Sequence, residues 1–213
     1  TLRENVVSLA RNIGYTPRSS KSSRANISFI VNTANYSVKP QTITLNKGIV
    51  AASNAFGAEN YVFSIMEDIT VPVVNNIATF SNIDVYEGTY VTTEFSYNTF
   101  DPNQRYILGN SKIDISSINV TWKPSASSTV KRKYRRSDSL FEVTSESPVY
   151  WVQEIEDERY ELIFGDGVFG IALQEPNFLE VSYLVNNGSN SNGVTNLSFN
   201  GKLTTSRDNV SID

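Results

Sequence analysis

The stretch from Val149 to Val185 constrains the fold most, because its side chains alternate between bulky and polar with a period of two. One run spans Val149 to Ile155 and a second spans Arg159 to Phe164, with charged residues between them. Val181 to Val185 supplies a last apolar run. Successive side chains of a strand point to opposite faces, so this pattern predicts a meander of four β-strands.

The glycines inside this stretch predict the turn that joins two of its strands. Gly165, Asp166 and Gly167 follow the second run directly, and Gly170 comes shortly after them. Asp-Gly between two strand-like runs is a strong hairpin signal, because the turn needs a positive φ that glycine adopts without strain. We therefore predict a hairpin in which these four residues form the structural turn.

The same glycines also match G-x-G-x-x-G, the fingerprint of dinucleotide-binding proteins. That site needs a helix after the motif, whose free N–H groups bind the pyrophosphate. Here Ile171 to Glu175 runs into Pro176, which leaves little room for a helix, and Asp166 would place a negative charge beside the phosphates. The hairpin interpretation is therefore favoured, and no nucleotide cofactor is expected.

The order of motifs along the chain resembles a known family. An aromatic-rich strand leads into F-G-D-G-x-x-G at Phe164 to Gly170, then a V-x-Y strand at Val181 to Tyr183 and a Gly/Asn loop at Asn186 to Gly193. Leu9 to Tyr15 and Thr42 to Gly48 agree with it. These segments resemble the baseplate J-like family of contractile-tail phages, and within it the baseplate wedge subunits of T-even-type phages. Members are usually longer and this sequence does not begin with methionine, so we expect an internal portion of a longer chain.

The resemblance implies a structural rather than an enzymatic role. Subunits of this family belong to the baseplate wedge, link wedges into a ring around the central hub, and rearrange when the tail contracts. The expected partners are further copies of the same chain, through dimer contacts within the wedge, and other baseplate wedge proteins. The expected location is the virion, at the tail baseplate, after assembly of this late protein in the host cytoplasm.

Composition narrows the alternatives, because the 213 residues include neither cysteine nor histidine. Disulfides, thiolate nucleophiles and the commonest general base and metal ligand are therefore absent, which argues against catalysis and a metal site. A net charge of −4 argues against nucleic acid as the main partner. No apolar run reaches the roughly 18 residues that a membrane span needs, so no membrane partner is expected. Neither a cofactor nor a small-molecule substrate is expected.

One helix is predicted, at the start of the chain. Apolar residues recur at helical spacing between Thr1 and Ile13, Thr1 and Glu4 form a capping box, and Gly14 supplies a stop. A helix this short has only marginal stability by itself. Its stripe of apolar side chains therefore needs to pack on the chain's own sheet or on a partner. The candidate interface residues of this stripe are Leu2, Val6, Leu9 and Ile13.

The predicted fold class is mainly β, with the N-terminal helix followed by two antiparallel β regions that are sandwich-like or strongly twisted. Residues 1–24 hold the helix and a basic, serine-rich linker, and residues 25–105 form the first β region. Residues 106–213 form the second β region, which contains the FGDG hairpin. Turn residues between Phe100 and Asn110 mark the boundary.

Two clusters of charge were weighed as binding sites. Lys131 to Arg136 holds five cations around Tyr134, but a strand would divide them between two faces, which favours a solvated or protein-facing strip over nucleic acid. Glu154 and the run Glu156 to Glu158 could serve as acid and base or bind calcium, but the run lacks the glycine of a calcium loop. Carboxylates at a hairpin tip are expected to face water.

Two rival functions remain open at this point. A virion-surface or secreted β-sandwich could bind carbohydrate through an exposed aromatic platform that includes Trp122 or Trp151. A carboxylate-only hydrolase would need two carboxyl groups facing one cleft, roughly 5 to 10 Å apart. A wedge subunit should instead bury its aromatic side chains between chains.

Overall fold

The computed structural model describes residues 19–53, 59–101, 103–174 and 177–206, together with the backbone of 211–212. Within these ranges the chain is built mainly from β-strands, with 3-10 turns at Glu156–Glu158 and Gly188–Ser191. The strands are β1 (Arg24–Asn32), β2 (Thr42–Leu45), β3 (Gly48–Ser53), β4 (Val62–Ile65), β5 (Ile69–Val74), β6 (Ile77–Glu87), β7 (Thr89–Ser96), β8 (Tyr106–Ile107), β9 (Ile113–Lys123), β10 (Arg132–Arg136), β11 (Val149–Glu154), β12 (Tyr160–Phe164), β13 (Phe178–Val185), β14 (Leu197–Phe199), β15 (Leu203–Thr205) and β16 (Ser211–Ile212).

The predicted fold class is wrong in including an N-terminal helix. Among the described residues no helix reaches seven residues, and the helix prediction is not supported. Its residues, Thr1 to Ile13 with the candidate interface stripe Leu2, Val6, Leu9 and Ile13, lie outside the described ranges. Four apolar residues at helical spacing are a weak signal, because the stability of so short a helix depends on tertiary packing that the pattern does not contain.

The chain divides into two compact units that interleave along the sequence. Among the described residues, one unit, here called the FGDG unit, contains residues 19–20 and those between 92 and 185, and the other, the β6 unit, contains those between 21 and 91 and from 186 onward. The predicted boundaries instead lay after residues 24 and 105, with all of residues 106–213 in one region. The difference arises because β14 and β15, near the end of the chain, pair with β3 and β2 near its start. Turn residues in a sequence do not indicate pairing between strands that are so far apart along the chain.

The β6 unit is organised around its longest strand. Its nine-stranded sheet runs β14-β3-β4-β6-β5-β2-β15-β16, and β1 pairs along β6 from Arg24–Tyr86 to Asn32–Ile77. Burial alternates along β1, and Phe29 packs inward with its ring 4.6 Å from that of Phe80. The buried core of this unit consists of Ile43, Leu45, Val50, Ala51, Tyr61, Phe63, Ile65, Ala78, Phe80, Ile83, Val85 and Leu203.

A buried carboxylate joins the end of β6 to the Gly/Asn loop that follows β13. The side chain of Glu87 is 0% exposed. Its Oε2 accepts a hydrogen bond from the Asn187 backbone N–H at 3.1 Å, and its Oε1 accepts one from Asn187 Nδ2 at 2.9 Å. Burial is the main cause that raises the pKa of Glu87 above its ordinary value, and the bonds from Asn187 oppose the shift. The loop is thereby fixed within the β6 unit.

The FGDG unit contains a seven-stranded sheet in the order β7-β13-β9-β10-β11-β12-β8. The prediction of purely antiparallel β regions is wrong here, because β10 and β11 run parallel, with Arg135 paired to Val149. Parallel neighbours need a long crossover instead of a tight turn, and the segment from Ser137 to Pro148 provides it. The face that packs inward includes Tyr134, Tyr150 and other large side chains.

Part of the predicted meander forms between Val149 and Val185. β11 and β12 pair antiparallel through the exposed turn Glu156–Glu158, and Tyr160 and Leu162 face inward. The next strand, β13, pairs with β9 and not with β12. Alternation indicates which face a side chain occupies but does not indicate the neighbouring strand. None of the described helical segments is long and apolar enough to cross a membrane.

Candidate functional site: the FGDG loop and its apolar groove

The FGDG loop, Gly165 to Gly170, is a compact loop that directly follows β12. Gly165 forms a parallel β-bridge with Ala172, and the Gly167 N–H donates to the Gly170 carbonyl at 3.0 Å. A Cβ on Gly165 would lie 2.3 Å from the carbonyl carbon of Gly170, so only glycine fits at this close approach of two backbone segments. Gly167 has a φ of +89°, in the region that favours glycine.

Asp166 stabilises the loop from inside. Its Oδ1 accepts hydrogen bonds from the Val168 N–H at 2.9 Å and the Phe169 N–H at 2.8 Å, which is an Asx turn. These backbone bonds, that of Phe169 first, hold the pKa of Asp166 below its ordinary value. The carboxylate is therefore charged at neutral pH and its side chain has a fixed direction.

The loop is attached to the chain that precedes β11. The Gly170 N–H donates to the Thr144 carbonyl at 3.0 Å, and the Ile171 N–H donates to the Ser147 carbonyl at 2.9 Å. A Cβ on Gly170 would lie 3.0 Å from Cγ2 of Val149, so this contact is also close. These bonds at the C-terminal end of the loop, together with the bridge between Gly165 and Ala172, give the loop a defined position.

The structure brings together the four predicted turn residues, Gly165, Asp166, Gly167 and Gly170, but in a different connection from the predicted one. The chain after Gly170 forms a bridge at Ala172 instead of a strand that pairs with β12, so the turn is not a hairpin. The described residues up to Gln174 are not helical. The motif therefore lacks the helix N-terminus on which dinucleotide binding depends.

An apolar groove of about 440 Å³ lies beside the FGDG loop. Trp151 of β11 and Ile163 of β12, which are paired across the two strands, contribute to its lining together with Phe164. The full set of lining residues is Asp138, Ser139, Leu140, Trp151, Ile163, Phe164, Asp166 and Phe169.

Large apolar side chains are exposed around this groove. Leu140 is 54% exposed and its neighbour Phe141 is 82% exposed, while Ile163 is 40% exposed on β12. In the FGDG loop, Val168 is 65% exposed and Phe169 is 43% exposed. A cluster of exposed apolar residues of this kind is typical of a protein interaction surface or a ligand groove.

Phe164, which lines the groove, also belongs to a cluster of aromatic rings. The ring of Phe164 makes edge contacts with Tyr106 at 5.1 Å and Tyr134 at 5.8 Å, and a tilted contact with Tyr150 at 6.5 Å. The Tyr150 hydroxyl donates to the Ile118 carbonyl at 2.9 Å. Burial raises the pKa of Tyr106 and of Tyr150 to about 12, so both phenols stay neutral across the physiological range.

A second, more polar cleft of about 490 Å³ shares Ile163, Phe164 and Asp166 with the groove. Glu161 lines this cleft, and Arg105 binds both of its oxygens, with Nε at 2.9 Å from Oε1 and Nη2 at 2.7 Å from Oε2. The Glu161 carboxylate is therefore held in an ion pair with Arg105. Within the described ranges, no group of three or more Asp or Glu side chains is placed to hold a metal ion.

The charged clusters weighed from sequence occupy different environments. Glu154 is buried, whereas Glu156 to Glu158 form the exposed turn, so these acids do not form one water-facing cluster. In the basic strip Tyr134 points inward, as strand alternation predicts, and Arg132 stacks over Trp122 at 5.8 Å. Arg136 is held by Asp138.

Sequence reasoning missed most of the groove. Leu140 and Phe141 lie in the crossover between β10 and β11, and Val168 and Phe169 lie inside a glycine-rich turn. Adjacent large apolar residues in otherwise polar turns are the signal that could have identified both segments. The prediction named Trp151 as a residue of the core or of an interface, with an aromatic platform for sugar as the alternative.

Comparison with known proteins places this fold in a biological context. No family model matches the chain. The chain is similar to the baseplate wedge protein gp6 of Enterobacteria phage T4, with 23% identity over 220 aligned positions. The similarity covers 95% of this chain and 32% of that protein, so the chain spans about a third of its relative's length. This similarity supports a relationship to a phage baseplate protein.

Proposed function

We propose that this chain forms part of a structural subunit of a phage baseplate wedge and is located in the virion. The observation that carries the proposal is the similarity to a baseplate wedge protein along 95% of the chain. Such an extent means that both units of the chain, and not one isolated motif, correspond to the relative.

The finer parts of the proposal come from the resemblance of the sequence to wedge subunits. The subunit contacts other copies of itself and other wedge proteins, links wedges into a ring around the central hub, and rearranges when the tail contracts. It is assembled in the host cytoplasm, and it needs no catalytic residue, cofactor or metal. The exposed apolar groove of the FGDG unit supports a role in protein contacts.

Electron microscopy of labelled particles tests this function. An antibody raised against the 213-residue chain should bind the tail end of contractile-tail particles in lysates of infected cells. Particles incubated with antibody that was pre-absorbed on the purified chain serve as the control. Labelling of capsids, or of cell-derived material without tails, would contradict the baseplate assignment.

One observation favours a second candidate, a carbohydrate-binding module. Trp151 lines an open groove together with the carboxylates Asp138 and Asp166, and aromatic rings with nearby acceptors are typical of sugar-binding grooves. A glycan array with the purified chain distinguishes the two functions. Binding to a defined glycan that is lost in Trp151→Ala would favour the module, whereas we expect no such binding.

A further inference from the structure

We propose that the apolar groove of the FGDG unit binds a basic side chain, arginine or lysine, presented by a neighbouring baseplate protein. The aliphatic stem of that side chain lies along Trp151 and Ile163, and its charged end meets Asp138 and Asp166. The class of partner rests on the proposed function, but the chemistry of the occupant follows from the groove itself.

The two carboxylates of the groove are held in similar ways. Oδ1 of Asp138 accepts bonds from Arg136 Nε at 3.0 Å and from Arg136 Nη2 at 2.9 Å. Oδ1 of Asp166 accepts the two backbone N–H groups of the FGDG loop. The described residues place no hydrogen bond on Oδ2 of either side chain. Each carboxylate is thus oriented through one oxygen, while the other remains available to a donor.

The charge of the groove is negative. Asp138 and Asp166 are its charged lining residues, and no lysine or arginine is among the described residues that line it. Arg136 offsets part of this charge through its bonds to Asp138, but Asp166 has no cationic partner among the described residues. Long-range attraction therefore favours a cationic group over an anionic one.

The apolar walls exclude a small cation as the best occupant. An ammonium or guanidinium group without a stem would leave Trp151, Ile163 and Phe169 uncovered. A purely apolar side chain would cover them but would remove the second carboxylate oxygen of Asp138 and Asp166 from water without supplying a donor, which is costly. Arginine and lysine combine a long apolar stem with a terminal cation, and tryptophan is the aromatic ring that attracts cations most strongly. Both features of the groove are then satisfied by one side chain.

The test uses the two tryptophans of the chain as internal reporters. The 15N-labelled chain is titrated with three soluble peptides that differ only in a central arginine, norleucine or glutamate. We expect the arginine peptide to shift the Trp151 indole N–H signal while the Trp122 signal stays in place. Added salt should weaken this binding, because screening reduces attraction between exposed charges.

Isosteric variants separate charge from loop structure. In Asp138→Asn and Asp166→Asn the amide oxygen still accepts the bonds now made to Oδ1, so the fold should be retained. The double variant should bind the arginine peptide about tenfold more weakly or worse, the loss expected for a charged hydrogen-bonding partner. Asp68→Asn, an exposed aspartate of the β6 unit, is the matched control and should leave binding unchanged.

The inference is overturned if the norleucine and arginine peptides bind equally, or if the double variant binds arginine like the parent chain. Binding of the glutamate peptide alone would also overturn it. Tail-end labelling by the antibody together with any of these results would refute the basic occupant and leave the proposed function intact. Specific arginine binding without tail-end labelling would refute the baseplate assignment alone.

Discussion

Glu87 in the β6 unit and Asp166 in the FGDG unit both accept two hydrogen bonds from N–H donors, yet their pKa values move in opposite directions. Glu87 is fully buried, and desolvation outweighs the bonds from Asn187 and raises its pKa. Asp166 is exposed, and the backbone bonds to Val168 and Phe169 dominate and lower its pKa. The comparison teaches that burial, and not the number of hydrogen bonds, decides which charge state the fold favours.

The same contrast holds for the two regions as a whole. The β6 unit uses a buried carboxylate to fix a loop inside the unit, while the FGDG unit uses an exposed carboxylate to hold a loop beside an open groove. Glycine substitutions probe how strictly each region depends on close backbone contacts, and pH series probe the two carboxylates.

The largest effect is expected for Gly165→Ala in the FGDG unit. The new Cβ would meet backbone atoms of Gly170, which cannot move without breaking the bridge to Ala172. We expect a loss of about 3 kcal/mol or more in the free energy of unfolding, at the upper end of overpacking costs. Urea unfolding measures it.

Two controls sharpen this result. Gly109→Ala introduces a Cβ into open space and should be nearly neutral. Gly201→Ala in the β6 unit meets the exposed ring of Phe199 at 2.7 Å and Leu45 Cδ1 at 2.9 Å, side chains that have more freedom to shift than backbone. A cost for Gly201→Ala equal to that of Gly165→Ala would remove the proposed distinction between the two regions.

Gly167→Val should come second and should exceed Asp166→Ala. Valine at a φ of +89° is strained, and such backbone strain costs about 1 to 3 kcal/mol. Asp166→Ala removes two hydrogen bonds from an exposed turn that other bonds still hold at Thr144 and Ser147. Differential scanning calorimetry of both variants provides the comparison. Equal melting temperatures would mean that the loop tolerates a branched side chain at residue 167.

Glu87→Gln should change how stability depends on pH. Because the folded state raises the pKa of Glu87 above 4.5, it binds this proton more tightly than the unfolded state does. The stability that this provides is fully present below pH 4.5 and is lost as pH rises through the raised pKa. The parent chain should therefore lose stability relative to Glu87→Gln as pH rises.

Thermal melts from about pH 4 to pH 8 test this difference. Glu146→Gln, which replaces an exposed carboxylate, is the matched control and should follow the parent chain. A constant difference in melting temperature between the parent and Glu87→Gln at every pH would contradict the assigned shift.

The smallest effect is expected for Asp166, with the opposite sign. Its pKa is lowered from 3.8, so its contribution to stability is present above pH 3.8 and is lost as pH falls through the lowered value. Asp166→Asn keeps the acceptor of the Asx turn but removes the titration. The parent should lose stability relative to Asp166→Asn only under acidic conditions, as measured by hydrogen exchange of the Val168 and Phe169 amides. A loss on raising the pH would overturn the comparison.

Much of the local structure could be predicted from the sequence. The period-two pattern of Arg159 to Phe164 agrees with the inward-facing Tyr160 and Leu162 of β12, and Tyr134 lies on a strand among its cations. Residues 167–170 of the FGDG motif lie in a bend of the chain after β12, although not in the predicted hairpin. These features depend on residues close in sequence, whose spacing and backbone preferences are visible without a fold.

Most of the candidate site could not be predicted from local sequence patterns. The groove joins the crossover residues Asp138 to Leu140 with Trp151, Ile163 and the FGDG loop. No spacing rule relates these segments, because their meeting depends on the parallel arrangement of β10 and β11. The one local signal of the groove was a pair of adjacent large apolar residues in each of two otherwise polar turns.

By itself, the sequence determined that the chain is rich in strands and where glycine must break them, because side-chain alternation and positive φ are properties of a few neighbouring residues. Only the tertiary structure decided which strands are neighbours. In it, β14 pairs with β3, β15 pairs with β2, and β13 pairs with β9. Glu87 is buried, whereas Asp166 is exposed at the surface. Strand pairing and burial arise from contacts between distant segments, and the hydrophobic pattern of one strand is compatible with many partners.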